Sequence, residues 1–335
     1  MRLSTMALAL GLILAGGATL ARAQAVSQPV VYSVPGMDRV GVQANIPFTS
    51  PADDWTLMDV YTPPGPAAGR SLPILVFIHG GWLRPDLAVK PKDWQVYRSY
   101  GRLAAASGFV GVTFNHRYFG IDGEKLRRSF DDVRAAIGYV RSHAAEFGAD
   151  PDRMALWAFS GGGPHLSLAM QGDTPFVRAL VSYYAMLDLP SVPQAADVTG
   201  EDNRARSSPL ARLEDEQIFL PPVLIARAGL DSASLNRNVD AFVARAMARG
   251  DELEVLTHPD GQHGFDIYDD VPRSHEIIQR TLAFLQTRLA PGVPASPPVA
   301  GRLLGMILRG RLADVRRMYT DSASWPALLG EAALN

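Results

Sequence analysis

Two hydrophobic patterns alternate along the middle of the chain. Short, mainly apolar runs occur at Ile74–Ile78, Phe109–Phe114, Arg153–Trp157, Arg178–Tyr184 and Val223–Arg227. Runs of that length without polar alternation mark parallel strands covered on both faces. Between them, Asp93–Ala106, Phe130–Phe147, Val239–Arg249 and Glu276–Leu289 read as helices, the second with Val133, Ile137 and Val140 at helical spacing. Trp55–Tyr61 alternates apolar and polar positions as a half-buried strand does, and Thr62-Pro63-Pro64-Gly65-Pro66 breaks it as a turn. Leu253–Leu256 supplies one further strand, and strand-like material opens near Val30. Strands alternating with helices in this way predict an α/β fold, a mostly parallel central sheet with helices on both faces.

One strand leads into an unusual turn. Arg153–Trp157 runs into Ala158-Phe159-Ser160-Gly161-Gly162-Gly163, and His165–Met170 reads as the start of a helix. A serine on a sharp strand-to-helix turn needs small neighbours, because larger side chains would strike the adjoining strand and helix. The reward is a hydroxyl exposed at the carboxyl edge of the sheet, the nucleophile elbow. Ala158 occupies the first small position, where glycine is usual. A phosphate-cradling loop would need a lysine directly after the glycines, and none follows Gly163.

A serine hydroxyl is a weak nucleophile until a base takes its proton, and the base needs an acid to hold its tautomer. With an elbow of this type the acid and then the histidine follow the serine along the chain. His165 is too local to the elbow, His258 ends a strand, and His275 opens the last helix. His263 sits in the glycine-flanked loop Pro259–Phe265, between the last strand and the last helix, where the base is expected. Asp231 directly follows the strand Val223–Arg227 and is the expected acid; Asp260 and Asp266, close to His263 in sequence, are the runners-up. The third requirement is a set of backbone N–H groups aimed at the developing oxyanion. His79-Gly80-Gly81-Trp82, after a buried strand, and the amide of Gly161 are suited to supply it.

These landmarks resemble the α/β-hydrolase esterases, especially the bacterial acetyl-esterase and hormone-sensitive-lipase-like group. The resemblance rests on Leu57–Pro63, His79–Trp82, Asn115-His116-Arg117-Tyr118, Asp131–Ala136, Asp150–Met154, the elbow, Pro221–Ile225 with Asp231, and His263-Gly264-Phe265. It covers roughly residues 50–290. It implies the α/β-hydrolase fold, with Ser160, Asp231 and His263 as catalytic residues and no cofactor or metal. It also implies an oxyanion hole at Gly81 and Trp82, supported by Gly80 and completed by Gly161. The activity implied is hydrolysis of small-molecule, short-chain acyl esters through an acyl-enzyme. A peptidase or amidase on the same fold is the alternative, and a non-catalytic binding protein a weaker one.

Composition narrows the setting. A formal net charge of -2 offers no electrostatic basis for binding nucleic acid. With no cysteine in the chain, thiol chemistry and disulfides are excluded. Residues 1–25 carry Arg2, an apolar run from Met6 to Leu20 and Ala21-Arg22-Ala23, the pattern of a cleaved signal peptide. The run is interrupted by Gly16-Gly17 and falls short of the roughly 20 residues that span a bilayer. The expectation is an exported protein, periplasmic or secreted, with no stable membrane span after cleavage. The hydrolase domain is then 26–290, with a polar, cap-like insertion at 190–217. A linker at 291–301 leads to a helical or partly disordered extension at 302–335.

Overall fold

Eight strands form one sheet in the order β1-β2-β4-β3-β5-β6-β7-β8. They are β1 (Gly41–Pro47), β2 (Leu57–Thr62), β3 (Leu72–Ile78), β4 (Val110–Phe114), β5 (Ala149–Phe159), β6 (Val177–Tyr183), β7 (Val223–Ala228) and β8 (Leu253–His258). Only β1 with β2 and β2 with β4 pair antiparallel; β4, β3 and β5 through β8 are parallel. The computed structural model describes residues 26–66, 69–81, 83–121, 123–170, 174–191 and 207–293. The expected signal segment 1–25, Trp82, residues 192–206 of the insertion and residues 294–335 lie outside them.

The period-two geometry of a strand explains the layering. Met154, Leu156 and Ala158 of β5 point into one apolar cluster, and Ala155, Trp157 and Phe159 into another on the opposite face. The first cluster is closed by α2 (Gly123–Ser142) through Phe130, Val133, Ile137 and Val140, and by α3 (Ala233–Arg249) through Val239 and Phe242. The second is closed by α1 (Gln95–Ala106) through Val96, Tyr97, Tyr100 and Leu103, and by α4 (Pro272–Arg288) through Ile277, Ile278 and Leu285. Helices on both faces bury every central strand, which is why those strands read as continuous apolar runs. Among the described residues no helix is long and apolar enough to cross a membrane.

Several elements depart from the sequence expectation: the helices expected from Val239 and Glu276 begin earlier, at Ala233 and Pro272. The strand-like stretch near Val30 is irregular, and the first strand begins at Gly41. The helix expected at Phe130–Phe147 starts at Gly123 and ends at Ser142; Ala144–Phe147 is a separate 3-10 turn. The segment after the elbow is a 3-10 spiral over Ser160–Met170 rather than an α-helix. Pro164 there lacks an amide donor, and the three glycines beside it offer little intrinsic helix propensity.

Candidate active site

The elbow is held by close backbone packing. Ser160 follows the last residue of β5 with φ +51, left-handed for a residue with a Cβ. Such a conformation costs on the order of 1–3 kcal/mol and persists only where the surroundings impose it. The surroundings are tight: a methyl group on Gly163 would lie 2.1 Å from the Met186 carbonyl oxygen. Met186 N–H donates to the Ser160 carbonyl at 2.9 Å, fixing the serine from the segment after β6. Beneath the turn, Trp157 and Phe159 are buried among Phe77, Tyr100 and Tyr183, with the Tyr100 and Phe159 rings 4.9 Å apart. They belong to the core under the elbow, so neither narrows the mouth of the site.

The other two predicted side chains arrive on loops at the carboxyl ends of β7 and β8. Gly229 N–H donates to the His258 carbonyl at 2.8 Å, and Leu230 N–H to the Gly261 carbonyl at 2.9 Å, stitching the two loops together. Asp231 accepts from Ser232 N–H on Oδ1 at 2.7 Å, leaving Oδ2 for His263 Nδ1 at 2.6 Å. His263 Nε2 is 2.9 Å from Ser160 Oγ. The pattern sets the tautomer: Nδ1–H donates to the carboxylate, and Nε2 accepts from the serine hydroxyl. Asp231 is almost covered while His263 is 43% exposed, so the reacting edge faces solvent and the orienting acid does not.

Gly80 and Gly81 lie directly over the elbow. A Cβ on Gly80 would come within 2.7 Å of the Ser160 Cβ and 3.1 Å of the Gly161 nitrogen. One on Gly161 would lie 2.9 Å from the Gly81 nitrogen. Gly81 has φ +83, which an L side chain rarely adopts, so the loop needs glycine there. The Gly80 amide is occupied, donating to Tyr97 Oη at 3.3 Å. The amides of Gly81 and Gly161 therefore stand side by side at the serine, and Gly80 shapes the loop. Trp82, the remaining predicted member, lies outside the described residues.

A buried chain of histidines supports that loop. His79 Nδ1–H donates to the Gly80 carbonyl at 3.1 Å, and Nε2 accepts from His116 N–H at 3.3 Å. The His79 and His116 rings stack with centroids 3.8 Å apart. His165 Nδ1–H donates to the Gly162 carbonyl at 3.1 Å, so its Nε2 must accept from Ser129 Oγ at 2.8 Å. Ser129 Oγ is also 2.8 Å from His116 Nδ1, and His116 Nε2 lies 3.3 Å from the His79 carbonyl oxygen. Burial holds all three rings neutral: His79 is lowered to about 3, His165 to about 4, and His116 well below 6.5.

The runner-up carboxylates lie elsewhere. Asp260 is exposed on the loop. Asp266 is fully buried and accepts from Tyr100 Oη and Tyr184 Oη at 2.6 Å each, with no bond to His263. Burial raises its carboxyl above the ordinary value, against the pull of the two hydroxyl bonds. Sequence reading missed Tyr184, whose ring lies 4.6 Å from that of His263, because it looked like the end of a strand. It also missed the clamp that seats Asn115–Tyr118: Arg117 Nε and N–H both donate to Asp132 Oδ2, at 2.8 and 2.9 Å. Tyr118 O then accepts from Leu83 N–H at 2.8 Å, just beyond the oxyanion loop.

A mostly parallel eight-stranded sheet with Ser160 on the turn after β5, and Asp231 and His263 on the loops after β7 and β8, is the α/β-hydrolase fold. Comparison with known proteins agrees. The BD-FAE family model matches residues 58–185, a range holding Gly80, Gly81 and Ser160 but neither Asp231 nor His263. The para-nitrobenzyl esterase of Bacillus subtilis is 25% identical over 82% of this chain and 58% of its own length. Esterase LipC of Mycobacterium tuberculosis is 26% identical over 67% of this chain and 60% of its own. The chain thus spans less than two thirds of either relative. Among solved structures, esterase B of Lactobacillus rhamnosis with a C4-C4 SN3 tributyrin phosphonate is similar at a TM-score of 0.62 and 17% identity. The match covers 86% of this chain and 97% of that one, and shows the shared fold.

Proposed function

We propose that the chain is a serine hydrolase of carboxylic esters. The observation that carries the reading is the unbroken run Asp231 Oδ2–His263–Ser160 Oγ, at 2.6 and 2.9 Å, on a strained elbow beside two glycine amides. His263 Nε2 takes the proton as Ser160 Oγ attacks the ester carbonyl, and Asp231 steadies the imidazolium through Nδ1. The amides of Gly81 and Gly161 receive the oxyanion, with Trp82 as a further donor. Collapse expels the alcohol, which takes its proton from His263. Water, activated by the same imidazole, then releases the acid from the acyl-enzyme. The esterases among its relatives support this chemistry.

The preferred substrate is a short, soluble acyl ester. His263 stands open to solvent, and the insertion at 190–217 is dominated by Glu201, Asp202, Asn203, Arg204, Arg206, Glu214, Asp215 and Glu216. Such a segment offers little apolar surface for long acyl chains, where each buried methylene is worth about 0.8 kcal/mol. Export to the periplasm or medium, with cleavage within residues 1–25, belongs to the same proposal; N-terminal sequencing of the mature protein tests it.

A series of 4-nitrophenyl esters of increasing acyl length, run beside a matching anilide, is the test. Acetyl or butyryl esters are expected to give the highest kcat/KM, with the anilide far slower. Ser160→Ala is expected to fold normally and lose on the order of 10⁶-fold in turnover. Near-wild-type hydrolysis by that variant would end the reading. A maximum at long chains with a jump at micelle formation would make the protein a lipase.

A further inference from the structure

His263 is gripped at one edge by Asp231, but its face rests on something else. The Tyr184 ring lies against the imidazole, centroids 4.6 Å apart and tilted by 58°. Tyr184 directly follows β6 with φ +38, a left-handed conformation that a tyrosine adopts only under constraint. Two bonds impose it: Tyr184 N–H donates to the Ala226 carbonyl at 2.8 Å, and Tyr184 Oη donates to Asp266 Oδ1 at 2.6 Å. The second oxygen of Asp266 accepts from Tyr100 Oη on α1, also at 2.6 Å. Its backbone carbonyl accepts from Val31 N–H at 2.8 Å, so the N-terminal segment is tied to the same residue. Asp266 thus joins α1, the end of β6, the N-terminal segment and the helical turn Phe265–Tyr268, which begins two residues past His263.

Resting on the proposed ester-hydrolase reading, we propose that Asp266 and Tyr184 form a positioning unit for His263, in which Asp266 holds the Tyr184 ring against the imidazole. The Tyr184 ring limits rotation of the imidazole about the Nδ1–H···Oδ2 axis, which the single bond to Asp231 leaves free. Both Asp266 oxygens accept from hydroxyls, the pattern of an ionised carboxylate rather than of an acid.

The test uses the full-length protein, with activity counted per serine labelled by a fluorophosphonate. In Asp266→Asn the His263 ring resonances, followed by NMR of histidine-labelled protein and assigned with His263→Ala, are expected to move, since the aromatic ring held against the imidazole is released. kcat on 4-nitrophenyl acetate is expected to fall about 10- to 100-fold with KM little changed, as for a displaced reacting group. Tyr184→Phe keeps the ring and loses one anchor, and should lower kcat by a smaller factor. The double variant should be no worse than Asp266→Asn alone. A lower melting temperature with unmoved His263 resonances and wild-type kcat per labelled serine would reduce Asp266 to a structural role and overturn the proposal. Should Asp266→Asn not fold, wild-type kcat in Tyr184→Phe overturns it alone. A wild-type protein inactive on every ester, with the His263 shift present, overturns the ester-hydrolase reading and leaves the positioning unit standing.

Discussion

At the scale of single residues, three carboxylates compete for one histidine, and geometry separates them. Asp231 is bonded to His263 Nδ1, Asp266 is bonded to tyrosines, and Asp260 is exposed. The proposed roles make distinct predictions. Asp231→Asn should lower kcat by about 10⁴, because the amide favours the wrong tautomer of the imidazole. Asp260→Asn should leave turnover within a few-fold of wild type. Steady-state kinetics on a short ester ranks the two, and the reverse order would move the acid to Asp260. Ser160, His263 and Asp231 were legible because each stands where a strand ends and a loop begins, a position that sequence pattern exposes. Tyr184 and the partners of Asp266 were not. Their bonds join residues 82 and 166 positions apart, and nothing local in the chain announces them.

At the scale of elements, buried strands and amphipathic helices declared themselves, while exposed or strained pieces did not. β1 is exposed along most of its length and pairs on one side only, so it shows no apolar alternation to read. The first two turns of α2, Gly123–Phe130, carry Glu124, Lys125, Arg127 and Arg128, whose charges hide the helical period. The start of α4 was legible in principle: Pro272 sits in its first turn, a position proline favours. Glycines divide on the same basis. Gly163 is pinned against the Met186 backbone, whereas Gly138, inside α2, has open space where a Cβ would go. Gly163→Ala should therefore destabilise by about 1–3 kcal/mol and cut activity, since relief requires moving the elbow. Gly138→Ala should stabilise by about 0.5–1 kcal/mol through helix propensity and leave kinetics alone. Urea denaturation of both variants checks the contrast; equal effects would mean that the elbow packing is looser than described.

At the scale of the whole molecule, the chain His79–His116–Ser129–His165 ties four separate regions together: the loop after β3, the segment after β4, the helix α2 and the spiral after the elbow. Its cost is a dependence on pH whose sign follows from burial. The folded values of His79 and His165 lie at about 3 and about 4, and that of His116 well below the ordinary 6.5. The unfolded chain therefore binds protons first as pH falls, while the folded chain stays neutral at these sites. The stability they permit is fully present above about pH 6.5 and declines as pH falls from there towards the folded values. Each ring can contribute a slope approaching about 1.4 kcal/mol per pH unit in that window. Asp266, raised by burial, works in the opposite sense and offsets part of the histidines' effect wherever it takes up its proton. Unfolding free energies from urea titrations at pH 7.5, 6.5 and 5.5 should fall by about 1 kcal/mol over the first interval and by about 3 kcal/mol over the second. Activity lost over that range should return on restoring the pH, provided the protein has not aggregated. A stability that stays flat to pH 5.5 would mean that these histidines take up protons in the folded state, and that the neutral chain beneath the oxyanion loop is wrongly assigned.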